Sequence, residues 1–277
     1  MDLPVGRWLD AVSVRRSRRA YDGVALDRST LDVLRFVCEG LRPWVDARAE
    51  IIAEPEVDVF RGLLGSYGKI HGAPSVLVFV ASVPGDGPAL RHLGYVGEGV
   101  ILEATALELG TCWVSGFFDP AKARKLVELA PGERVVAVSP LGHPADQHTG
   151  TERVMEGVAS SHNRKPLDEI APGHDQWPAW AQKAATAARL APSATNRQPW
   201  RFSYDGRDLL LCRNSKRDLP RTSKWLDLGI ASLHVELAAL SEGVRGSWVD
   251  APATTSGLEL CRYRPEVSGS MEDAAIH

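Results

Sequence analysis

Ala191-Pro192-Ser193-Ala194-Thr195-Asn196-Arg197-Gln198-Pro199-Trp200 is one of two stretches on which the reading of this chain turns; the other, far upstream, is Arg15-Arg16-Ser17-Arg18-Arg19. Pro192 and Pro199 restrict the backbone of a loop that leaves a helix predicted over Trp180 to Leu190, and Ser193, Asn196 and Gln198 set hydroxyl and amide groups along it. Such groups suit the edge of a planar heteroaromatic ring, which offers alternating donors and acceptors. An ordinary helix stop with polar turn residues is the plainer reading, although a helix needs no Asn-x-Gln-Pro-Trp merely to end. The arginine stretch offers planar guanidinium forks, the donors that a phosphate monoester with close to two negative charges calls for, and in an extended backbone Arg15, Ser17 and Arg19 aim the same way. The same run also describes a solvated cationic face.

The remainder of the sequence sets bounds. With 277 residues, 44% hydrophobic and 24% charged, the chain can bury a sizeable core. A formal charge of -3 argues against nucleic acid as the main partner, so any anion site is local. No apolar run reaches the roughly 20 residues of a membrane span. The start, Met1-Asp2-Leu3-Pro4, lacks the order of a secretion signal, so a cytoplasmic location is expected. Cys38, Cys112, Cys212 and Cys261 form no Cys-x-x-Cys pair, and the histidines no His-Glu-x-x-His pattern; neither a disulfide framework nor a metal is expected.

Periodicity predicts a helix over Ser29 to Val37 with Ser29 as N-cap and Asp32 at the capping-box position, and a second over Tyr95 to Leu109 stopped by Gly110. Strands are predicted at Ser75–Val80, Thr111–Val114, Arg134–Val138 and Asp208–Cys212. Leu226, Ile230, Leu233, Leu237 and Leu240 recur at helical spacing before Gly243. The order strand, helix, Gly, Trp thus occurs twice, with Tyr95–Val100 echoing Trp225–Ile230, although two amphipathic helices can echo each other by chance. The expectation is one intertwined domain over residues 1–277, with half-repeats of about 1–170 and 171–267 and a frayed tail at 268–277.

Arg15-Arg16-Ser17-Arg18-Arg19-Ala20-Tyr21 and the Ala191–Trp200 loop together resemble the FMN-dependent nitroreductase family, matching its Arg-x-Ser-x-Arg-x-aromatic opening and its Pro-Ser-x-x-Asn-x-Gln-Pro-Trp loop. Three further stretches are similar to the family's: Lys69-Ile70-His71-Gly72-Ala73-Pro74, Leu109 to Phe117, and Leu141-Gly142-His143-Pro144 with Asn163-Arg164-Lys165-Pro166-Leu167. The chain departs from the pattern one helix after the arginines, where Cys38-Glu39-Gly40-Leu41-Arg42-Pro43-Trp44 keeps only the Pro-Trp. The full loop lies in the second half, which lacks the arginine motif.

The resemblance implies an α+β fold of mixed sheets flanked by helices, with two related halves forming an intramolecular pseudo-dimer, possessing one flavin site and having lost the other. It assigns Arg15, Arg16, Arg19 and Arg164 to the FMN phosphate with Ser17 beside them, Lys69 to the flavin pyrimidine, Ser193, Asn196 and Gln198 to the ring, and Ser115 with Gly116 to its opposite side. Lys69 reads equally as an exposed lysine before a strand, and Gly116 as a turn residue. The implied activity passes reducing equivalents from NADH or NADPH through FMN to a small acceptor such as a nitroaromatic, quinone or enone. A flavin-binding carrier, sensor or degenerate scaffold is the alternative. Trp44, Trp225 or Phe117 could shape a substrate pocket, though aromatic side chains also fill cores.

Overall fold

Ser75-Val76-Leu77-Val78-Phe79-Val80-Ala81-Ser82 is an unbroken apolar run because the strand it forms, β2, is covered on both faces. Leu77, Phe79 and Ala81 enter one core and Val76, Val78 and Val80 another, the period of two expected of a strand. In a computed structural model that describes residues 1–60, 70–82, 87–145, 163–219, 221–251 and 258–266, β2 pairs antiparallel with β1 (Ala47–Ala53) and with β4 (Glu133–Gly142). The short β3 (Gly110–Thr111) closes this sheet in the order β1-β2-β4-β3. A second antiparallel sheet follows, from β5 (Trp200–Tyr204), β6 (Leu209–Arg213), β7 (Gly246–Asp250) and β8 (Glu259–Pro265), in the order β5-β6-β8-β7. The two sheets therefore repeat one strand order.

Helices α1 (Val5–Val14), α2 (Arg28–Gly40) and α3 (Pro88–Ala106) accompany the first sheet, with the single turns α4 (Pro120–Ala123) and α5 (Leu167–Ile170) between. Helices α6 (Ala179–Arg189) and α7 (Lys224–Ser241) accompany the second. Helices α3 and α7 are buried on all sides, as helices at the centre of a molecule must be. Leu226, Leu233 and Leu237 of α7 reach into the core of the first sheet, while Leu228, Ile230 and Val235 join the core of the second. That dual membership welds the two layers.

The crossing of α3 and α7 depends on two glycines. A methyl group on Gly94 would collide with the Leu226 carbonyl, and one on Gly229 with the Arg91 carbonyl. The two contacts are images of each other, since 226 lies 135 residues after 91 and 229 lies 135 after 94. Packing thus equates Gly94 with Gly229, five residues away from the register in which Tyr95–Val100 echoes Trp225–Ile230.

Other boundaries differ from the expectation for local reasons. Asp27, not Ser29, caps α2, accepting from Thr30 N at 2.9 Å and Thr30 Oγ1 at 2.7 Å, with Ser29 Oγ as a third donor. Helix α3 begins at Pro88, seven residues early, because Pro tolerates the first helical position. It ends at the left-handed Glu108 (φ 60°), which leaves Gly110 inside β3 instead of serving as the stop. The strand expected over Thr111–Val114 is reduced to Thr111 and a lone bridge from Val114 to Val138. Residues 268–277, expected to fray, lie outside the described residues.

Candidate functional site

Helix α1 runs out at Val14, and Arg15 turns the chain into extended backbone (φ -52°, ψ 129°) while its N–H still bonds Ala11 O. From there the arginine stretch threads a seam of the first sheet. Arg18 N donates to Thr111 O at 2.8 Å, His71 N to Arg19 O at 3.0 Å, Tyr21 N to His71 O at 3.1 Å and Ala145 N to Ala20 O at 3.1 Å. Segments around 71, 111 and 143, distant in sequence, thereby form one cradle for Arg15–Tyr21. Gly72 is required there, with φ 76° and no room for a side chain under the Tyr21 carbonyl. At Gly110 a methyl would press to 3.0 Å on Arg18 Cβ.

Arg15 is 7% exposed. Its Nε faces Glu98 Oε1 at 3.9 Å, and its guanidinium makes no hydrogen bond among the described residues. Burial lowers its pKa from the usual arginine range, opposed by Glu98 and assisted by Arg16. Arg16 lies exposed next to it, one terminal nitrogen bonded to Ser13 O at 3.1 Å and Arg15 O at 2.8 Å. Ser17 and Arg19 are half-buried on the same strand-like run. Arg164 joins the cluster: burial first, then the charges of Arg15, Arg16 and Arg189, push its guanidinium down to about 10. Arg15, Arg16 and Arg189 thus lie close enough to Arg164 for their charges to oppose its own, and guanidinium donors of this kind suit a phosphate monoester.

The Ala191–Trp200 loop reaches this cluster directly. Arg164 Nη1 donates to Asn196 Oδ1 at 2.9 Å, and Nη2 to Leu190 O at 3.2 Å. Asn196 Nδ2 and Gln198 Nε2 both donate to Asn163 O, at 2.8 and 3.1 Å, and Gln198 Oε1 accepts from Lys165 N at 2.8 Å. Ser193 Oγ accepts from Gln198 N at 2.9 Å. Thr195, Asn196 and Gln198 all carry positive φ, of 53°, 54° and 46°, a concentration of left-handed non-glycine residues that cross-bonding of this density sustains. Gln198 is 4% exposed with its amide committed at both ends, so it fastens the Asn163–Lys165 segment instead of presenting an amide outward.

Ser115 and Gly116, half-buried beyond β3, meet the second sheet's side of the molecule at Thr222, whose Cγ2 would lie 3.3 Å from a methyl on Gly116. Thr222 Oγ1 accepts from Arg197 Nη1 at 3.4 Å, so the segment abuts the same loop. Arg197 in turn donates to Asp227 Oδ2 at 2.6 Å, and Asp227 Oδ1 accepts from Ala194 N at 3.0 Å. Burial pushes the Asp227 carboxyl up to about 6 against the pull of Arg197. Lys69 lies outside the described residues. Phe117 is exposed beside Gly116, Trp225 lies under Arg213 at 5.9 Å, and Trp44 stacks flat on His92 with centroids 4.2 Å apart. Arg189, which donates to Lys165 O at 2.7 Å, escaped the sequence reading; an arginine in the last turn of the helix before the loop was the signal to notice.

Two sheets of one strand order and buried central helices define an α+β protein, in which an arginine stretch and a distant polar loop come together. The sequence profile of a family described as "Putative TM nitroreductase" matches residues 8–239, and the chain belongs to that nitroreductase family. Among solved structures, a "putative nitroreductase" of Thermotoga maritima shares the fold at TM-score 0.55 with 20% identity, over 93% of each chain. A nitroreductase family protein of Clostridium novyi aligns at 21% identity over 53% of this chain and 87% of its own, TM-score 0.41. A nitroreductase with bound FMN from Bacteroides fragilis aligns at 16% identity over 51% and 90%, TM-score 0.39. No curated protein matches. Among the described residues no helix is long and apolar enough to cross a membrane, and no group of three metal-ligating side chains converges.

Proposed function

We propose that the chain is an FMN-dependent oxidoreductase of nitroreductase type, moving reducing equivalents from NADH or NADPH to a small acceptor such as a nitroaromatic, quinone or enone in alternating encounters at one site. The observation that carries this reading is Arg15: a buried guanidinium with no hydrogen-bond acceptor among the described residues, flanked by the charges of Arg16 and Arg164. Glu98 offers this buried cation a charge at 3.9 Å but no hydrogen bond, and the dianionic phosphate of FMN supplies acceptors for it.

Arg15, Arg16, Arg19 and Arg164 hold the phosphate, with Ser17 as an added hydroxyl. Ser193 and Asn196 border the ring from one side and Ser115 with Gly116 from the other, while Gln198 positions the loop from behind. Bound FMN supplies hydride acceptance and electron release, so this chain needs no nucleophile or acid–base pair of its own. What its residues contribute is orientation, charge and exclusion of water.

The repeated strand order supports a fused pseudo-dimer. In the first half, the place of the polar loop is filled by Trp44 stacked at 3° on His92 with Arg91 5.3 Å from the indole centroid, which supports a single surviving site.

The test is the absorption spectrum of the purified chain and its FMN titration. A flavin band with a single FMN per chain is expected, and the double variant Arg15→Ala, Arg19→Ala should fold yet lose the cofactor. Unchanged FMN affinity in that variant refutes the phosphate assignment. A yellow protein that turns over no acceptor with NADH or NADPH is instead a carrier.

A further inference from the structure

Glu98 lies on α3 with no solvent exposure, and three other segments meet at its carboxylate. Oε2 accepts from Trp113 Nε1 at 2.7 Å, two residues before Ser115. Oε1 faces Arg15 Nε at 3.9 Å and His234 Nε2 of α7 at 3.1 Å. His234, also without exposure, places Nδ1 3.1 Å from Ala187 O on α6, four residues before the Ala191–Trp200 loop.

A backbone carbonyl only accepts, so His234 Nδ1 is the donor to Ala187 O. Arg15 Nε and the Trp113 indole face the same carboxylate, so Glu98 ties the arginine stretch to the segment before Ser115.

We infer that Glu98, backed by His234, is a positioning residue that faces Arg15 at Nε so that the guanidinium's outer edge meets the ligand phosphate. This deepens the FMN reading and rests on it. A carboxylate that only filled space in the core would affect binding of the whole flavin alike; one that aims Arg15 acts on the phosphate alone.

Binding of FMN and of riboflavin, which lacks the phosphate, to full-length wild type, Glu98→Gln and Arg15→Ala by fluorescence titration separates these cases. Glu98→Gln should weaken FMN by roughly tenfold or more, as loss of a charge-assisted contact does, and leave riboflavin unchanged. Equal losses for both ligands, or no loss for either, overturn the proposal. Loss of FMN in Arg15→Ala but not in Glu98→Gln overturns it while sparing the FMN reading, whereas a wild type that binds FMN no more tightly than riboflavin sinks that reading instead. Independently of folding of any variant, the ¹⁵Nε resonance of Arg15 in the wild type should move when FMN is added and stay in place when riboflavin is added; a resonance that FMN leaves unmoved overturns the assignment.

Discussion

Arg164 and Asn196 are joined side chain to side chain, Nη1 to Oδ1 at 2.9 Å across 32 residues of sequence. The bond makes the arginine cluster and the polar loop one structural unit: Arg164, which feels the charges of Arg15 and Arg16, is aimed by Asn196 of the loop. Because each member is held by the other, their effects on ligand binding should not add.

A double-mutant cycle over Arg164→Ala and Asn196→Ala should therefore give a coupling of about 1–3 kcal/mol in FMN affinity, the range of a hydrogen bond to a charged group. Independent losses that sum to the double variant would show that the two act separately.

Gly229→Ala should destabilise the fold by about 3 kcal/mol or more, because the new methyl meets the Arg91 backbone carbonyl, which can yield only by parting α3 from α7. Gly116→Ala, facing a Thr222 methyl at 3.3 Å, should change chemical denaturation little. Similar midpoints for the two variants would contradict the crossing as described.

Asp227 should impose a pH dependence of its own. Its folded pKa of about 6 lies above the ordinary Asp value, so the folded chain binds this proton more tightly than the unfolded one. The resulting stabilisation is complete below the ordinary Asp range and is lost as pH rises through about 6. Denaturation of wild type and Asp227→Asn between those limits should differ by a falling slope that the variant lacks. Carboxyl ¹³C titration of Asp227 gives the midpoint directly; a value in the ordinary range would refute the assignment.

Inorganic phosphate or sulfate should raise the Tm of the FMN-free chain, since anions that bind the folded cluster shift the equilibrium by mass action. Chloride at matched ionic strength should do less, and Arg15→Ala should abolish the difference. An equal response in the variant would place the anion effect elsewhere.

What could be read from the sequence follows from where each signal resides. β2 and α7 were legible because burial wrote apolar runs of the right period into them. The first turns of α3 were hidden because Gly94 lowers helix propensity, a cost accepted where the Leu226 backbone must come close. Strands β1 and β8 carry charged residues at half-buried positions that blur alternation. In the site, the arginine stretch and the loop announced themselves by residue type. Glu98, His234 and Arg189 did not, since each draws its significance from a partner far away in sequence, and Gln198 was legible as a polar loop residue but not as one turned inward.

In the fused pseudo-dimer proposed above, whose sheets share a strand order, Trp44 and Trp200 are counterparts in unlike settings: one lies against His92, the other is sealed at the head of β5. When identical subunits assemble, any mutation strikes both copies at once. Here a change at one tryptophan leaves its counterpart untouched, so evolution is free to specialise one end of the molecule for its ligand and let the other drift toward pure scaffold.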